Sequence, residues 1–202
     1  MRLRHNKNAI ILLEDSEFYI NNFPYELKEN TVLEIGMGKG KMLSELAFLH
    51  PEINYIGMEK YSTPALSALK KIEKNSLKNM KIIVKDAIDL DKYFLGRVKT
   101  IWLTFSDPWP KKRHFKRRLV YKTFLEQYKR ILAKDGMVYF KTDNQGLYMF
   151  ALEQLEEFKG ANIIYQTTDL HNCNFEIENC LTDYEQKFKN EGKNIYFIAF
   201  KF

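Results

Sequence analysis

The stretch Thr31–Leu49, T-V-L-E-I-G-M-G-K-G-K-M-L-S-E-L-A-F-L, decides how the rest of the chain is interpreted. Its first five residues predict a strand, and its last nine predict a helix that ends before Pro51. Between them lies a glycine turn with G-x-G-x-G spacing, where glycine allows positive φ and close approach of a ligand. Strand, glycine turn and helix in this order indicate the beginning of a βαβ unit.

The alternation of strand and helix continues to the end of the chain. Further strands are predicted over 53–58, 80–84, 99–105, 137–141, 162–166 and 194–202, and further helices over 62–75, 117–132, 147–158 and 182–189. Strands separated by helices indicate a mostly parallel sheet with helices on both faces. The predicted class is therefore α/β, and ligands of such sheets lie beyond the carboxyl ends of the strands.

Length and composition are those of an ordinary globular domain. The 202 residues, 45% hydrophobic and 29% charged, fit a single domain over 1–202, in which 1–30 is a lead-in of uncertain structure. No apolar run approaches the roughly 20 residues that span a bilayer, and 10–13 is too short for a signal segment. We expect a cytoplasmic protein without a membrane partner, either a monomer or a homodimer.

The two cysteines, Cys173 and Cys180, are expected to be free thiols. A closed tetrahedral zinc site needs four ligands, and the neighbouring His171 would supply only one more. No metal is therefore expected.

A carboxylate precedes the glycine turn. Glu34 comes before Gly36, Gly38 and Gly40, and this spacing differs from the G-x-G-x-x-G pattern that binds a pyrophosphate. A negative side chain here would repel a pyrophosphate, but it suits a cationic ligand with an amino-acid tail, such as S-adenosylmethionine. Taken alone, the glycines could equally form a structural turn.

Two further acids follow the next strands. Glu59 ends the second strand, where an acid commonly binds ribose hydroxyls. Asp86 and Ala87 follow the third strand, where a carboxylate can accept a hydrogen bond from an adenine amino group. Each acid alone could be an ordinary solvated side chain. Together with Glu34 at consecutive strand ends, they predict a site for an adenosyl cofactor.

The fourth strand leads into T-F-S-D-P-W-P-K-K-R-H-F-K-R-R at 104–118. Asp107 follows the strand at the position expected for a reacting methyl group, although Asp also commonly begins a turn. Trp109 lies between Pro108 and Pro110, a setting that favours a wall for a flat ring over burial in the core.

A basic segment completes this loop. Six of the eight residues from 111 to 118 are Lys or Arg, in a chain with a net charge of +6. Charge runs are usually solvated helix faces, but His114 and Phe115 are interleaved here, and this pattern favours contacts with nucleic-acid phosphates and bases. Lys111, nearest to Asp107, could reach the substrate.

Two downstream segments are candidates to complete the site. Lys-Thr-Asp-Asn at 141–144 follows the fifth strand, where a helix cap is the structural alternative. The polar segment 181–188 begins a predicted helix, and Thr182 and Glu185 fit a capping box, which is again a structural alternative.

The chain resembles the bacterial tRNA (guanine-N7-)-methyltransferases. The resemblance rests on the glycine motif at 34–40, D-P-W-P-K-K-R-H-x-K-R-R at 107–118, K-T-D at 141–143 and T-x-Y-E-x-K-F at 182–188. It covers most of the chain from about Thr31 onward, and the proline-tryptophan-basic signature is its most specific part. The family often has F-P-D-P-W where this chain has Ser106 before Asp107, so the start of the loop is expected to be less rigid.

The resemblance implies a class I S-adenosylmethionine-dependent methyltransferase fold. This Rossmann-like fold has a seven-stranded, mostly parallel sheet with an antiparallel last strand and helices on both faces. The resemblance also implies methyl transfer from S-adenosylmethionine to N7 of guanine at position 46, in the variable loop of tRNA, forming 7-methylguanosine.

The resemblance assigns roles to individual residues. The cofactor-binding residues are expected to be Glu34, Gly36, Gly38, Gly40, Glu59, Asp86, Ala87 and Asp107, and Asp107 is also the residue assigned to catalysis. Substrate contacts are expected from Lys111, Asp143, Thr182, Asp183, Tyr184 and Glu185. RNA contacts are expected from Arg113, His114, Phe115, Lys116, Arg117 and Arg118.

Guanine N7 carries a lone pair and no proton, so its methylation needs no general base. Asp107 is therefore predicted to orient the base and to stabilise the positive charge of the product. Methylation of a small molecule stays an alternative, but it leaves 111–118 without a purpose. A third hypothesis is an RNA-binding module without catalysis. The presence of the glycines and of the acids at the strand ends argues against it. The glycine spacing disfavours a nicotinamide-dependent oxidoreductase.

Overall fold

The computed structural model describes residues 6–178 and 180–202. In chain order its strands are β1 (Tyr25–Glu26), β2 (Thr31–Ile35), β3 (Asn54–Glu59), β4 (Met80–Val84), β5 (Phe94–Leu95), β6 (Val98–Thr104), β7 (Leu132–Thr142), β8 (Asn162–Thr167) and β9 (Tyr196–Lys201). Its α-helices are α1 (Ala9–Glu14), α2 (Lys41–Leu49), α3 (Ser62–Lys74), α4 (Lys122–Ile131), α5 (Gln145–Glu157) and α6 (Asp183–Asn190). Short 3-10 helices cover Ala87–Lys92, Lys112–Arg117 and Leu170–Asn172.

Seven strands form the central sheet, in the order β4-β3-β2-β6-β7-β9-β8. The first five are parallel, and β9 runs antiparallel between β7 and β8. This confirms the mostly parallel sheet with an antiparallel last strand. The chain first moves outward from β2 to β4 and then returns to β6 on the other side of β2. The carboxyl ends of β2 and β6 therefore flank the switch point where open α/β sheets bind ligands.

The core explains why the central strands are nearly continuous apolar runs. All five residues of β2 are buried, because helices cover both faces of the sheet. Side chains of α4 and α5 pack on one face, and those of α1, α2 and α3 pack on the other. Within the described ranges, no helix is both long enough and apolar enough to cross a membrane.

The predicted helix over 117–132 is wrong in its first turn. A 3-10 helix ends at Arg117, and Arg118 then takes extended backbone with ψ of 129°. Tyr121 is also extended, so α4 begins only at Lys122. The two extended residues redirect the chain, and they separate the basic segment from the amphipathic helix that sequence periodicity had merged with it.

The described part of the N-terminal lead-in contains elements that the sequence did not predict. Helix α1 buries Ala9 and Leu13 beside α3, and Tyr25 and Glu26 pair with β5 in a small parallel ribbon. These elements are only six and two residues long, so they carry almost no periodic signal. The part of the lead-in over 1–5 lies outside the described residues.

Candidate active site

The glycine turn joins β2 to α2 in backbone conformations that side-chain-bearing residues rarely adopt. Gly36, Gly38 and Gly40 have φ of 80°, 57° and 66°. A Cβ at Gly40 would lie 2.7 Å from the Cβ of Ala68, so close packing between α2 and α3 also requires glycine there. Apart from its chain neighbours, a Cβ at Gly36 or Gly38 would meet no heavy atom of the described residues within 4 Å, so their side of the turn is open to a ligand.

Glu59, the last residue of β3, fixes the middle of this turn. Its Oε2 accepts a hydrogen bond from the Gly38 N–H at 3.0 Å, and its Oε1 accepts one from the Tyr61 N–H at 3.1 Å. Burial raises the pKa of Glu59, and these backbone donors oppose the shift. A carboxylate has about four acceptor sites, so Glu59 retains the capacity to bind ribose hydroxyls as predicted.

Glu34 lies in β2 at the switch point and is buried, with 1% of its surface exposed. The Thr104 hydroxyl on β6 donates to Glu34 Oε1 at 2.7 Å, while Glu34 Oε2 is buried without a hydrogen-bond partner among the residues that the structure describes. Burial raises the pKa of Glu34 to about 7, although the Thr104 hydrogen bond and the charge of Lys141 lower it. A buried acceptor without a donor is costly and fits a ligand that supplies a cation or an N–H group.

Asp86 follows β4 and starts the first 3-10 helix. Its Oδ1 accepts from the Ile88 N–H at 3.2 Å, and its Oδ2 pairs with Lys60 Nζ at 2.7 Å. The neighbouring Ala87 is buried. Asp86 therefore serves as a cap and a surface ion pair, and its contact with an adenine amino group stays a prediction.

These features together fit S-adenosylmethionine. The glycine turn has an open side, Glu34 has an unpaired buried oxygen, and the Glu59 carboxylate lies at the end of the adjacent strand. Glu34 suits the cationic amino-acid end of this cofactor, because burial strengthens the attraction between opposite charges.

The loop Phe105–Pro110 leaves β6 with two non-glycine residues in left-handed backbone. Phe105 has φ of 49° and Trp109 has φ of 42°. Such conformations cost about 1–3 kcal/mol each and persist only where the surroundings impose them. Asp107 lies between these residues and is exposed, and its charge adds to the effect of burial in raising the pKa of Glu59. The Asp107 carboxylate is therefore close enough for its charge to act on Glu59.

A cleft of about 210 Å³ opens beside Asp107. It is lined by Phe105, Ser106, Asp107, Pro108, Asp143, Asn144, Tyr184 and Phe188. The Phe105 ring centroid lies 6.5 Å from that of Tyr184 and 5.8 Å from that of Phe188. The cleft therefore brings Asp107, Asp143 and Tyr184 together as two carboxylates beside an aromatic wall.

The helix cap that follows β7 is Asn144 and not Asp143. Asn144 Oδ1 accepts from the Leu147 N–H at 2.8 Å, and the Asn144 N–H donates to the Thr142 hydroxyl at 3.1 Å. The capping requirement of α5 is thus met without Asp143, whose carboxylate is left to face the cleft.

The capping box of α6 is only half formed. The Thr182 hydroxyl accepts from the Glu185 N–H at 3.0 Å, but the Glu185 carboxylate turns inward and is fully buried. Glu185 Oε2 accepts from Lys141 Nζ at 2.7 Å, and His171 Nε2 lies 3.5 Å from Glu185 Oε1. Complete burial leaves no surface for the substrate contact expected of Glu185, which instead ties α6 to β7. Asp183 and Tyr184 are exposed in the first turn of α6.

Lys141 is the main site residue to which sequence reasoning gave no role. It is fully buried, and its Nζ lies 5.0 Å from the Trp102 ring centroid. Burial lowers the pKa of Lys141, while the negative charges of Glu185 and Glu34 oppose this shift. The K-T-D pattern marks the end of a strand, but a buried lysine is evident only when its acid partner, 44 residues away, is placed beside it.

The basic segment divides into outward-facing and inward-facing side chains. The exposed cations are Lys111, Lys112, Arg113, Lys116 and Arg117. The Arg117 guanidinium lies 4.9 Å from the Trp109 ring centroid, and the His114 ring meets Trp109 edge-on at 5.8 Å. Phe115 instead packs against Tyr121, with ring centroids 5.2 Å apart, and against the core. Phe115 therefore anchors the 3-10 helix to the core, and an RNA contact by its half-buried ring stays a prediction.

Arg118 also faces inward. Its Nε donates to the Pro108 carbonyl at 3.0 Å, and its Nη2 donates to the Trp109 carbonyl at 3.2 Å. Its guanidinium carbon lies 4.3 Å from the Phe150 ring centroid on α5. The half-buried guanidinium is thus already engaged by the loop backbone and by α5, and the expected RNA contact by Arg118 stays a prediction.

Metal ligands are not clustered in this region. Across residues 6–178 and 180–202, no three His, Cys, Asp or Glu side chains are grouped as they would be to hold a metal ion.

The doubly wound sheet, the open glycine turn and the buried acid at the switch point define a Rossmann-like methyltransferase. A family model described as "Putative methyltransferase" matches residues 28–198. An rRNA methylase structure from Streptococcus thermophilus shares the fold, with a TM-score of 0.59 and 12% identity, over 96% of this chain and 93% of that one.

Curated relatives match over essentially their whole length. A tRNA (guanine-N(7)-)-methyltransferase from Metamycoplasma hominis is 62% identical over 202 residues, which is 100% of each chain. A protein of the same name from Mycoplasmopsis pulmonis is 52% identical over 100% of this chain and 99% of its own. The chain therefore belongs to the family of tRNA (guanine-N(7)-)-methyltransferases.

Proposed function

We propose that this chain transfers a methyl group from S-adenosylmethionine to N7 of guanine in tRNA, at position 46 of the variable loop. The observation that carries the proposal is the cleft beside Asp107, in a chain 62% identical along its full length to a tRNA (guanine-N(7)-)-methyltransferase. An aromatic wall and two carboxylates fit a purine base that presents N–H donors and becomes positively charged.

When bound, S-adenosylmethionine supplies an electrophilic methyl group on a sulfonium. Glu34 and the glycine turn would hold its amino-acid end, Glu59 its ribose, and the Asp86–Ala87 segment its adenine. This assignment follows the order of the strand ends from the switch point outward, β2, β3 and β4.

Tyr184 and Asp143 select the base in this proposal. Tyr184 lies on the cleft with 60% of its surface exposed, and it offers a ring on which a base turned out of the RNA can stack. The Asp143 carboxylate accepts hydrogen bonds from the N1–H and N2–H groups of guanine. Adenine has an acceptor at N1 and no donor at C2, so the same carboxylate disfavours it.

Asp107 is the catalytic residue of the proposal. Because N7 has no proton to lose, no side chain needs to act as a base. Asp107 instead stabilises the positive charge that develops on the base, and it helps to aim the N7 lone pair. Asp107 lines the cleft and its charge acts on Glu59, so it is placed to act where the cofactor and the base would meet.

The exposed cations of the basic segment bind the RNA backbone in this proposal. Lys111 directly precedes the 3-10 helix next to the loop, and Arg113, Lys116 and Arg117 continue the charged surface away from it. Phosphate contacts of this kind give affinity and position without sequence information. Selectivity for one guanine is therefore left to the cleft.

Nucleoside analysis tests the proposal. Unmodified tRNA incubated with the enzyme and labelled S-adenosylmethionine should yield 7-methylguanosine at position 46. The matched control is the same transcript made with 7-deazaguanosine, which has carbon in place of N7 and should take up no label. Label in any other nucleoside, or equal labelling of the control, would overturn the assignment.

A further inference from the structure

We propose that Arg118 is a positioning residue that fixes the Asp107 loop, and not a tRNA contact. The inference rests on the proposed function for the identity of the reaction, but its geometry is independent of the substrate. It changes the interpretation of one of the six cations in the basic signature, because it turns a presumed phosphate ligand into a support for catalysis.

The carbonyl groups of Pro108 and Trp109 need hydrogen-bond donors that the loop itself does not provide. Pro108 and Pro110 have no N–H group. Among the described residues, no backbone N–H group donates to the carbonyl of Pro108 or of Trp109. The Arg118 guanidinium supplies both donors, at 3.0 and 3.2 Å, and its planar fork can serve two carbonyls at once.

The two hydrogen bonds from Arg118, called the clamp below, act on the strained part of the loop. Trp109 holds its left-handed φ of 42° within the two peptide units whose carbonyls Arg118 binds. Asp107 directly precedes this pair, so a shift in the Pro108 carbonyl would carry the Asp107 carboxylate with it. Positive φ at a residue with a large side chain persists only under such external constraint.

Arg118 is itself held in place. Its guanidinium lies over Phe150 of α5, and its backbone N–H donates to the Phe115 carbonyl at 3.1 Å. Phe115 packs in turn against Phe150, with ring centroids 6.4 Å apart. The loop is thus connected to α5, the helix that begins directly after Asp143 and Asn144. This connection fixes the position of Asp107 relative to Asp143 across the cleft.

The neighbouring Arg117 provides a natural contrast. Its side chain is exposed and lies over the Trp109 ring, and the structure gives it no hydrogen bond to the described loop backbone. The side chains of these two adjacent arginines therefore point in opposite directions. Substitution of Arg118 should change the rate of methyl transfer, and substitution of Arg117 should change the salt dependence of tRNA binding.

The experiment compares Arg118→Lys with Arg117→Lys and Arg118→Met. Lysine keeps the positive charge but lacks the planar guanidinium fork that serves both carbonyls, and methionine keeps much of the packing on Phe150. Single-turnover methyl transfer at saturating tRNA measures positioning, and tRNA binding from low to high salt measures phosphate contact. Thermal unfolding and binding of S-adenosylhomocysteine establish that each variant is folded.

We expect both Arg118 variants to lose about 10- to 100-fold in the single-turnover rate, the size of effect that a misplacement of about 1 Å produces. Their tRNA affinity and its salt dependence should stay near those of the wild type. Arg117→Lys should show the smaller loss in rate. The proposal is wrong if Arg118→Met keeps the wild-type rate. It is equally wrong if this variant lowers the salt slope of tRNA binding by about one unit, because Arg118 is then a phosphate contact.

Hydrogen exchange separates this proposal from the proposed function. Peptides covering 105–111 should exchange faster in Arg118→Lys than in the wild type, whether or not the protein methylates tRNA. If the wild type is inactive but exchanges more slowly than Arg118→Lys over 105–111, the proposed function is contradicted and the role of Arg118 in holding the loop is supported. If the wild type is active, and the Arg118 variants match it both in hydrogen exchange and in the rate of methyl transfer, only the proposed role of Arg118 is contradicted.

Discussion

The two halves of the carboxyl edge of the sheet are built differently. The half proposed to bind the cofactor, called the cofactor half, consists of the glycine turn, Glu34 and Glu59. It is held by short contacts at strand ends, such as the Gly38–Glu59 and Thr104–Glu34 hydrogen bonds. The substrate half consists of residues 105–118, Asp143 and α6. It is held by charged side chains that reach in from distant segments, namely Arg118 to the loop and Lys141 to α6.

This difference separates binding from turnover. The cofactor half is fixed by the sheet itself, so it should bind its ligand whether or not the other half is intact. The substrate half depends on a few buried or half-buried charges, so single substitutions there should disturb catalysis or stability while leaving cofactor binding in place. Substitutions on each side of the edge test whether the two halves differ in this way.

The largest effect is expected at Asp107. Asp107→Asn removes the negative charge beside the reacting base with almost no change in shape. Single-turnover transfer should fall by about 100- to 1,000-fold, as it does when one electrostatic partner of a developing charge is lost. A wild-type rate that follows a carboxylate titration with pH, together with a full rate in Asp107→Asn, would contradict this role.

Breaking the buried ion pair should cost the next largest amount. Lys141→Met removes the lysine from its buried pair with Glu185 and should destabilise the fold by about 3–5 kcal/mol, because a buried charge that loses its ion-pair partner is costly. Urea unfolding measures the loss. The control is Lys141→Met with Glu185→Leu, an apolar pair that should recover most of the stability. A double variant as unstable as the single one would show that the two residues do not act as a pair.

Glu34→Gln should separate stability from binding. Burial raises the pKa of Glu34 from its ordinary value of 4.5 to about 7 in the folded chain, so the folded state binds more protons between these values. The free energy of unfolding of the wild type should therefore fall as pH rises from about 4.5 to about 7, by a total of about 3 kcal/mol. Glu34→Gln should be more stable than the wild type above pH 7 and similar to it near pH 4.5.

The same titration should govern cofactor affinity. If the ionised Glu34 attracts a cationic ligand, wild-type affinity for S-adenosylmethionine should weaken as pH falls through about 7, and Glu34→Gln should bind weakly at all these pH values. Calorimetry at several pH values measures both trends. A wild-type affinity that is flat across about pH 6–8 would remove Glu34 from the cofactor site.

Arg117 should give the smallest effect. Arg117→Met should lower the salt slope of tRNA binding by about one unit, since one phosphate contact is lost. The control is Lys159→Met, an exposed cation beyond the far end of α5, which should leave the slope unchanged. Equal salt slopes in the wild type and both variants would mean that Arg117 is an ordinary solvent-exposed side chain and contacts no phosphate.

The sequence predicted the fold well because strong local signals coincided with it. The run Thr31–Ile35, the glycine turn and the helix Lys41–Leu49 were each predicted with the bounds that the structure has. Buried parallel strands and glycine turns leave signals within a few residues of one another. The short β1 and β5 leave none, because two residues cannot show a period.

The site was less predictable because its decisive contacts are distant in sequence. Glu185 fits a capping box locally, yet the protein uses its carboxylate for Lys141, 44 residues away. The run at 111–118 looks uniformly basic, but the extended backbone at Arg118 turns that one arginine inward. Only the folded chain distinguishes a solvated charge from a structural one.

Calorimetric titration with S-adenosylhomocysteine, in the absence of tRNA, tests the independence of the cofactor half most directly. Tyr184→Leu alters the exposed wall of the substrate half, and Glu59→Gln alters the acid that fixes the glycine turn. We predict that Tyr184→Leu keeps the wild-type dissociation constant within about twofold, and that Glu59→Gln weakens binding at least about tenfold through loss of charge-assisted hydrogen bonds. Equal weakening by both substitutions would contradict the independence of the two halves.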